Sequence, residues 1–253
     1  MIPVQVRSEA TLHDNPSSPT TNMNLLLLHG ALGSRHQLEL LADAAPTRHI
    51  RILEFSGHGE QPRPEEGLHF DHFIKDIDRA LDAAGWESAH LFGFSMGGYA
   101  ALLFASRFPE RVQSVVTLGT KMKWDREGLE RELRLLDPQK MKEKVPHFAM
   151  QLLEQHGPNR WEVLVRDTAM IITGLTDRPF LTPDVLRGIA TPAMLCVGDR
   201  DRTAVPEHTL EAARLMPKGS TLVLPATQHP FDDADLNVLL AHLKPFWGLE
   251  IDH

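Results

Sequence analysis

Residues 93–98 carry the clearest potential for chemistry, because they place a serine between glycines where an apolar strand passes into an apolar helix. They read Gly-Phe-Ser-Met-Gly-Gly and so contain the pattern Gly-x-Ser-x-Gly. At a strand-to-helix junction, this pattern is typical of a sharp, strained turn that presents the serine hydroxyl. Gly93 and Gly97 leave the space that such a turn needs. We therefore predict Ser95 as a nucleophile; the alternative is a glycine-rich turn with an incidental serine.

A serine hydroxyl becomes a useful nucleophile only when a base accepts its proton and a third group orients that base. His229 lies just beyond the last predicted strand and is the candidate base. Asp199 and Asp201 both follow the preceding strand, so both are candidates for the orienting acid. The order along the chain is then serine, aspartate, histidine.

The elements that must position these residues alternate along the chain. Short apolar runs that end near glycine or proline predict strands at 25–28, 50–55, 90–94, 112–118, 193–197 and 221–224. Helical spacing of apolar residues predicts helices at 70–81, 96–108, 206–216 and 233–247. The segment 96–108 is nearly apolar throughout and is expected to be the most buried of them. Strands that alternate with helices predict a mostly parallel sheet with right-handed crossovers.

The interval 121–192 interrupts this alternation, since it shows only helical periodicity. Asp137-Pro138 and Thr182-Pro183 each place a capping side chain before a proline, which predicts two helix starts. We expect a helical cap, or lid, at 121–192, inserted between core segments 1–120 and 193–253. Candidate pocket residues of this cap are Trp124, Met141, Phe148, Met150, Trp161 and Met170; for each, packing between cap helices is the alternative.

Together these features resemble the α/β-hydrolase superfamily, in its form with a serine nucleophile and a helical cap. The resemblance rests on His29-Gly30 after the first long apolar run, on the Gly57-His58-Gly59 turn, on the turn at Ser95, on the Gly198-to-Asp201 turn and on the late His229. It extends over 24–247. It implies an α/β fold with a mostly parallel central sheet flanked by helices. These motifs are specific for fold and catalytic machinery, and much less so for substrate.

The resemblance also implies roles for single residues. The family's acid usually stands three residues after the glycine that ends its strand, which favours Asp201 and leaves Asp199 as a turn residue. The oxyanion hole, two backbone N–H donors for the developing negative charge, would be the amides of Ala31 and Met96. His29 is expected to brace the loop that carries Ala31 rather than to act directly.

The implied activity is transfer of an acyl group to water from a small carboxylic ester or a related acyl or carbonyl compound, with no cofactor and no metal. A carbon–carbon bond hydrolase and a lyase like that of the menaquinone pathway use the same triad and remain alternatives. Such lyases usually carry an arginine shortly after the serine, where this chain has Tyr99. Relatives with an aspartate nucleophile are disfavoured by Ser95. A receptor-like relative that binds a ligand under a mobile cap is a further alternative.

Composition narrows the choice of partners and compartment. The 253 residues are 42% hydrophobic and carry a net charge of −8, which favours solubility and disfavours a nucleic-acid or anionic-membrane partner. The expected partner is a small-molecule substrate. The single cysteine, Cys196, is expected to be buried in a strand, and none of the 14 histidines forms a compact metal-ligand motif. The start shows no apolar signal-like segment, so the cytoplasm is the expected compartment. An edge hairpin is expected over the first 20 residues, and the sequence is silent on oligomeric state.

Overall fold

In the computed structural model, which describes residues 23–249, six strands form one sheet in the order β2-β1-β3-β4-β5-β6. All five pairings between these strands are parallel. The predicted fold class is therefore confirmed. The strands are β1 Leu25–Leu28, β2 Ile50–Leu53, β3 Ala89–Phe94, β4 Val112–Leu118, β5 Ala193–Gly198 and β6 Gly219–Leu224.

Ten α-helices surround this sheet in the described part of the chain. Those that connect or follow the strands are α1 Glu39–Ala44, α2 Phe70–Ala83, α3 Met96–Arg107, α9 Pro206–Leu215 and α10 Leu236–Phe246. Those between β4 and β5 are α4 Arg126–Leu135, α5 Pro138–Lys144, α6 Pro146–His156, α7 Trp161–Asp177 and α8 Pro183–Gly188. No helix within 23–249 is long and apolar enough to cross a membrane. The hairpin expected over the first 20 residues lies outside the described residues.

The central strands are apolar because helices cover both faces of the sheet. Leu26 and Leu28 of β1 face one hydrophobic cluster, whereas Leu25 and Leu27 face the other. This alternation follows the two-residue period of a strand. Cys196 is fully buried in β5, as expected, and burial raises the pKa of its thiol.

The two helix starts predicted from aspartate or threonine before proline are confirmed. Asp137 Oδ1 accepts hydrogen bonds from the amides of residues 139 and 140, and Thr182 Oγ1 accepts one from Val185 N at 3.3 Å. The start predicted at residue 233 is wrong, since α10 begins at Leu236. The reason is local: the Asp235 side chain accepts hydrogen bonds from the backbone amides of residues 237 and 238, and so it caps the helix at this point.

Candidate active site

Ser95 occupies the strained turn between β3 and α3. Its backbone has φ 49° and ψ −112°, a conformation that costs free energy for any residue except glycine. A Cβ on Gly93 would lie 2.4 Å from the carbonyl carbon of Gly97, and a Cβ on Gly97 would lie 2.3 Å from the Leu28 carbonyl oxygen. The neighbouring strand and helix thus pass too close for side chains. The turn requires glycine at both positions.

His229 lies between Ser95 and Asp201. Its Nε2 atom is 3.3 Å from Ser95 Oγ, and its Nδ1 atom is 2.8 Å from Asp201 Oδ2. Since the carboxylate can only accept, Nδ1–H donates to it and Nε2 keeps its lone pair toward the serine. The three side chains therefore form a relay in which the imidazole can accept the Ser95 proton.

Asp201, not Asp199, faces the imidazole. The side chain of Asp201 is buried, and its second oxygen, Oδ1, accepts hydrogen bonds from Thr203 N and Ala204 N, both at 2.8 Å. Asp199 Oδ1 instead accepts from the Thr227 amide at 3.2 Å, which is the local turn bond expected of it. The Asp201 carboxylate is thus fixed on both oxygens.

The loop after β1 places Ala31 at the cavity that Met96, the first residue of α3, also lines. Both residues line the cavity that contains Ser95. Neither backbone amide makes a hydrogen bond to another residue within 23–249. Among the described residues, nothing occupies these two amides, and both are available to donate to an oxyanion.

His29 braces the loop that carries Ala31. The ring is fully buried; Nδ1–H donates to Gly30 O at 2.8 Å, and Nε2 accepts from Phe55 N at 3.2 Å. Burial disfavours the charged imidazole and lowers the pKa of His29 to about 4. His29 is therefore a neutral group in the folded protein, and its hydrogen bonds give it the bracing role expected from the sequence.

A cavity of about 690 Å³ opens at Ser95, between the carboxyl ends of the strands and the helices of 121–192. Two of the predicted pocket residues, Trp124 and Phe148, line it. Further lining side chains come from one face of α7: Thr168, Ile171, Ile172 and Leu175.

Trp161 does not line this cavity, contrary to expectation. It lies two turns before Thr168 on α7, about 10 Å along the helix axis. There it is 2% exposed, and the Lys142 ammonium group lies 5.4 Å from its ring centre. Met141 is buried away from the cavity as well, whereas Met150 and Met170 are 59% and 70% exposed.

Sequence reasoning missed two further features of the site. Lys121 and Glu132 form an ion pair in the cavity wall, and the Lys121 ammonium group lies 4.7 Å from the Trp124 ring centre. Gln37 Oε1 accepts a hydrogen bond from Gly30 N at 2.8 Å and so holds the loop after β1. Nothing in the spacing of these residues marks them, because each contact depends on how two separate elements pack.

Comparison with known proteins agrees with this architecture. Residues 24–231 match the family described as alpha/beta hydrolase fold. A protein of Bacillus subtilis (strain 168) assigned as a 2-succinyl-6-hydroxy-2,4-cyclohexadiene-1-carboxylate synthase is 30% identical over 126 residues, 47% of this chain and 46% of that protein. Lipase 3 of Moraxella sp. (strain TA144) is 23% identical over 227 residues, 83% of this chain and 72% of that protein.

A solved structure shows the same fold. A thermophilic esterase from Thermogutta terrifontis has a TM-score of 0.71 at 19% identity, over 90% of each chain. The chain spans less than half the length of some curated relatives that it matches: 46% of the Bacillus subtilis protein and 32% of a serine hydrolase-like protein of Danio rerio.

Proposed function

We propose that this chain, which belongs to the alpha/beta hydrolase fold family, is a serine hydrolase that cleaves a small carboxylic ester or a related acyl or carbonyl substrate. The observation that carries the proposal is the relay Ser95–His229–Asp201 at the wall of a large cavity. Such a relay serves nucleophilic acyl transfer.

In the first half of the reaction, His229 Nε2 takes the Ser95 proton while Ser95 Oγ attacks the substrate carbonyl carbon. The amides of Ala31 and Met96 donate to the oxyanion that forms. The proton on Nε2 then passes to the leaving oxygen, the carbon–oxygen bond breaks, and an acyl-enzyme remains. Asp201 holds the imidazole tautomer and stabilises the imidazolium between these steps.

In the second half, water replaces the leaving alcohol. His229 takes a proton from that water, whose oxygen attacks the acyl carbonyl carbon. The tetrahedral species collapses to a carboxylic acid, and the proton returns to Ser95 Oγ. Each step uses side chains and backbone amides of this chain.

The helical insertion 121–192 is proposed to act as the cap that selects the substrate. The insertion contributes Trp124, Phe148 and the apolar face of α7 to the cavity wall, which suits an apolar acyl or alcohol group. Lipase 3 and the thermophilic esterase are named for ester substrates, which supports an ester here. The Lys121–Glu132 pair supplies charge to the wall beside Trp124.

A lyase that uses the same triad is the second candidate, because the Bacillus subtilis relative bears a synthase name. Against it, Tyr99 occupies the position expected for a carboxylate-binding arginine; its hydroxyl accepts hydrogen bonds from Phe180 N and Leu181 N, both at 3.0 Å. Product analysis in ¹⁸O-water separates the two reactions. Hydrolysis of an ester, or of a carbon–carbon bond, puts one labelled oxygen into the acid product, and elimination puts in none.

The proposal is tested by hydrolysis of a short-chain aryl ester. Ser95→Ala is expected to abolish hydrolysis of this ester by the purified protein. Ser106→Ala is the matched control, since Ser106 lies near the far end of α3, where its hydroxyl donates to Leu103 O. Full activity in the purified Ser95→Ala protein would overturn the proposal.

A further inference from the structure

His156, the last residue of α6, connects the helical insertion to the loop that carries Ala31. The side chain is almost fully buried. Its Nε2 atom lies 3.0 Å from the Leu32 carbonyl oxygen, and its Nδ1 atom lies 2.8 Å from Gly59 N. Because the Gly59 amide can only donate, Nδ1 is the acceptor and Nε2–H is the donor to Leu32 O. One neutral tautomer satisfies both contacts.

Leu32 needs such support. Its backbone has φ +59°, in the left-handed region that residues other than glycine and asparagine rarely adopt. It is the third residue of a turn in which Gly33 N donates to Gly30 O at 3.1 Å, and glycine is the usual residue at a left-handed third position. A strained residue persists only where its surroundings hold it.

The peptide units link this turn to the proposed oxyanion donor. Leu32 O and Gly33 N–H belong to one planar peptide unit, and Gly30 O and Ala31 N–H belong to another. The hydrogen bond from His156 to Leu32 O fixes the orientation of the Leu32–Gly33 peptide. The hydrogen bond from Gly33 N to Gly30 O then links that peptide to the Gly30–Ala31 peptide. His29 Nδ1–H also donates to Gly30 O, so the direction of the Ala31 N–H depends on His156 together with His29.

We propose that His156 is a positioning residue of the insertion that holds the Leu32–Gly33 peptide and thereby aims the Ala31 amide at the oxyanion, an inference that rests on the proposed function. The insertion then does more than shape the pocket. It completes the catalytic geometry, so that displacement of α6 would misdirect an oxyanion donor.

The neighbouring imidazoles do not suggest a metal site instead. His29 lies 4.8 Å and His156 lies 6.0 Å from His58, measured between ring centres. Both ring nitrogens of His29 and of His156 are used in backbone hydrogen bonds, and Nδ1 of His58 lies 3.1 Å from Ser56 O. No group of three potential ligand residues within 23–249 is arranged to hold a metal ion.

The experiment separates the two hydrogen bonds of His156. His156→Gln can place an amide donor near the position of Nε2 and keep the bond to Leu32 O. His156→Asn is shorter and can replace only the acceptor near Nδ1. His147→Asn is the matched control, because His147 is an exposed residue of the same helix. Turnover of a neutral aryl ester is measured for all three and for the wild type.

We expect His156→Asn to lower kcat about tenfold with little change in KM, a part of the 10²- to 10³-fold loss typical when an oxyanion donor is removed. His156→Gln is expected to restore most of kcat, and His147→Asn to match the wild type. Unchanged kcat in a folded His156→Asn protein would overturn the proposal, as would an equal loss in His156→Gln and His156→Asn.

A measurement that does not depend on turnover tests the positioning role separately from the proposed function. In ¹⁵N NMR spectra, the His156 ring of the wild type is expected to be the Nε2–H tautomer, and the Ala31 and Gly33 amide signals are expected to shift in His156→Asn but not in His156→Gln. An Nδ1–H tautomer, or unshifted loop signals in His156→Asn, contradicts the positioning role. Absence of Ser95-dependent hydrolysis in the wild type contradicts the proposed function alone.

Discussion

Arg63 and Asp167 form a two-point ion pair between the loop after β2 and helix α7 of the insertion. Arg63 Nε lies 2.5 Å from Asp167 Oδ2, and Arg63 Nη2 lies 2.9 Å from Asp167 Oδ1. The Asp167 side chain is 6% exposed, whereas that of Arg63 is 36% exposed. The same loop carries Gly59, which donates to His156. The sheet core thus holds the insertion at two neighbouring points.

Arg63→Ala alone should destabilise the protein more than Arg63→Ala combined with Asp167→Asn. Arg63→Ala leaves a buried carboxylate without its cation, for which we expect a loss of about 2 kcal/mol, less than for a fully buried pair because Arg63 is partly exposed. Adding Asp167→Asn should recover part of that loss. Urea unfolding measures both; an Arg63→Ala protein as stable as the wild type would contradict this account of the ion pair.

The choice between the two aspartates can be tested on activity. Asp201→Asn should lower kcat about 10⁴-fold, because an amide in place of the carboxylate no longer holds the productive imidazole tautomer. Asp199→Asn should leave kcat near that of the wild type, since Asp199 contacts the Thr227 amide and not His229. Steady-state hydrolysis of one aryl ester compares them. The reverse ranking would assign the acid to Asp199.

Two glycines in helices should respond oppositely to alanine. A Cβ on Gly97 would meet the Leu28 carbonyl at 2.3 Å, so Gly97→Ala should cost about 3 kcal/mol of stability and remove activity. Gly174 lies inside α7 with nothing within 4 Å of an added Cβ, so Gly174→Ala should stabilise by about 0.5–1 kcal/mol. Thermal unfolding of both variants checks this, and a Gly97→Ala protein of wild-type stability would be incompatible with the close approach.

Acid should destabilise the fold through its buried imidazoles. Burial lowers the pKa of His29 to about 4, and it lowers the pKa values of His58 and His156 as well. The unfolded chain takes up protons near the ordinary value of 6.5 while the folded chain does not, so unfolding is favoured as pH falls from 6.5 toward 4. Stability is therefore fully present above pH 6.5, and His29 alone lowers it by about 1.4 kcal/mol per pH unit as the pH falls through that window. The lowered pKa values of His58 and His156 act in the same direction.

Urea midpoints measured between about pH 7 and about pH 5 test this slope. His156→Gln removes one of the three buried imidazoles and should give a shallower dependence than the wild type, whatever its stability at neutral pH. His147→Asn, which changes an exposed residue of the same helix, should keep the wild-type slope. A pH-independent wild-type midpoint would mean that the imidazoles are not buried in the neutral form.

The sequence was sufficient for the sheet and for the residues at the strand ends, because glycines and buried apolar runs mark where parallel strands terminate. Ser95, Asp201 and His229 each follow such a run, and parallel strands bring their carboxyl ends to one edge. The cytoplasmic location and the small-molecule substrate stay predictions from the sequence.

Positions within the insertion were predicted less well, because helical periodicity identifies a buried face but not what it is buried against. Trp161 and Thr168 lie on the same helix, yet one packs inside the insertion and the other lines the cavity. His156 gave no signal at all. Its contacts with Leu32 and Gly59 join segments that are far apart in sequence.

The central claim is that Ser95 is the nucleophile, and it is tested most directly by covalent labelling with a fluorophosphonate followed by peptide mass spectrometry. We predict one adduct per chain, on the peptide that contains Ser95, and no adduct in Ser95→Ala, while Ser106→Ala labels like the wild type. An adduct on any other residue, or a folded wild-type protein that resists the reagent, would contradict the account.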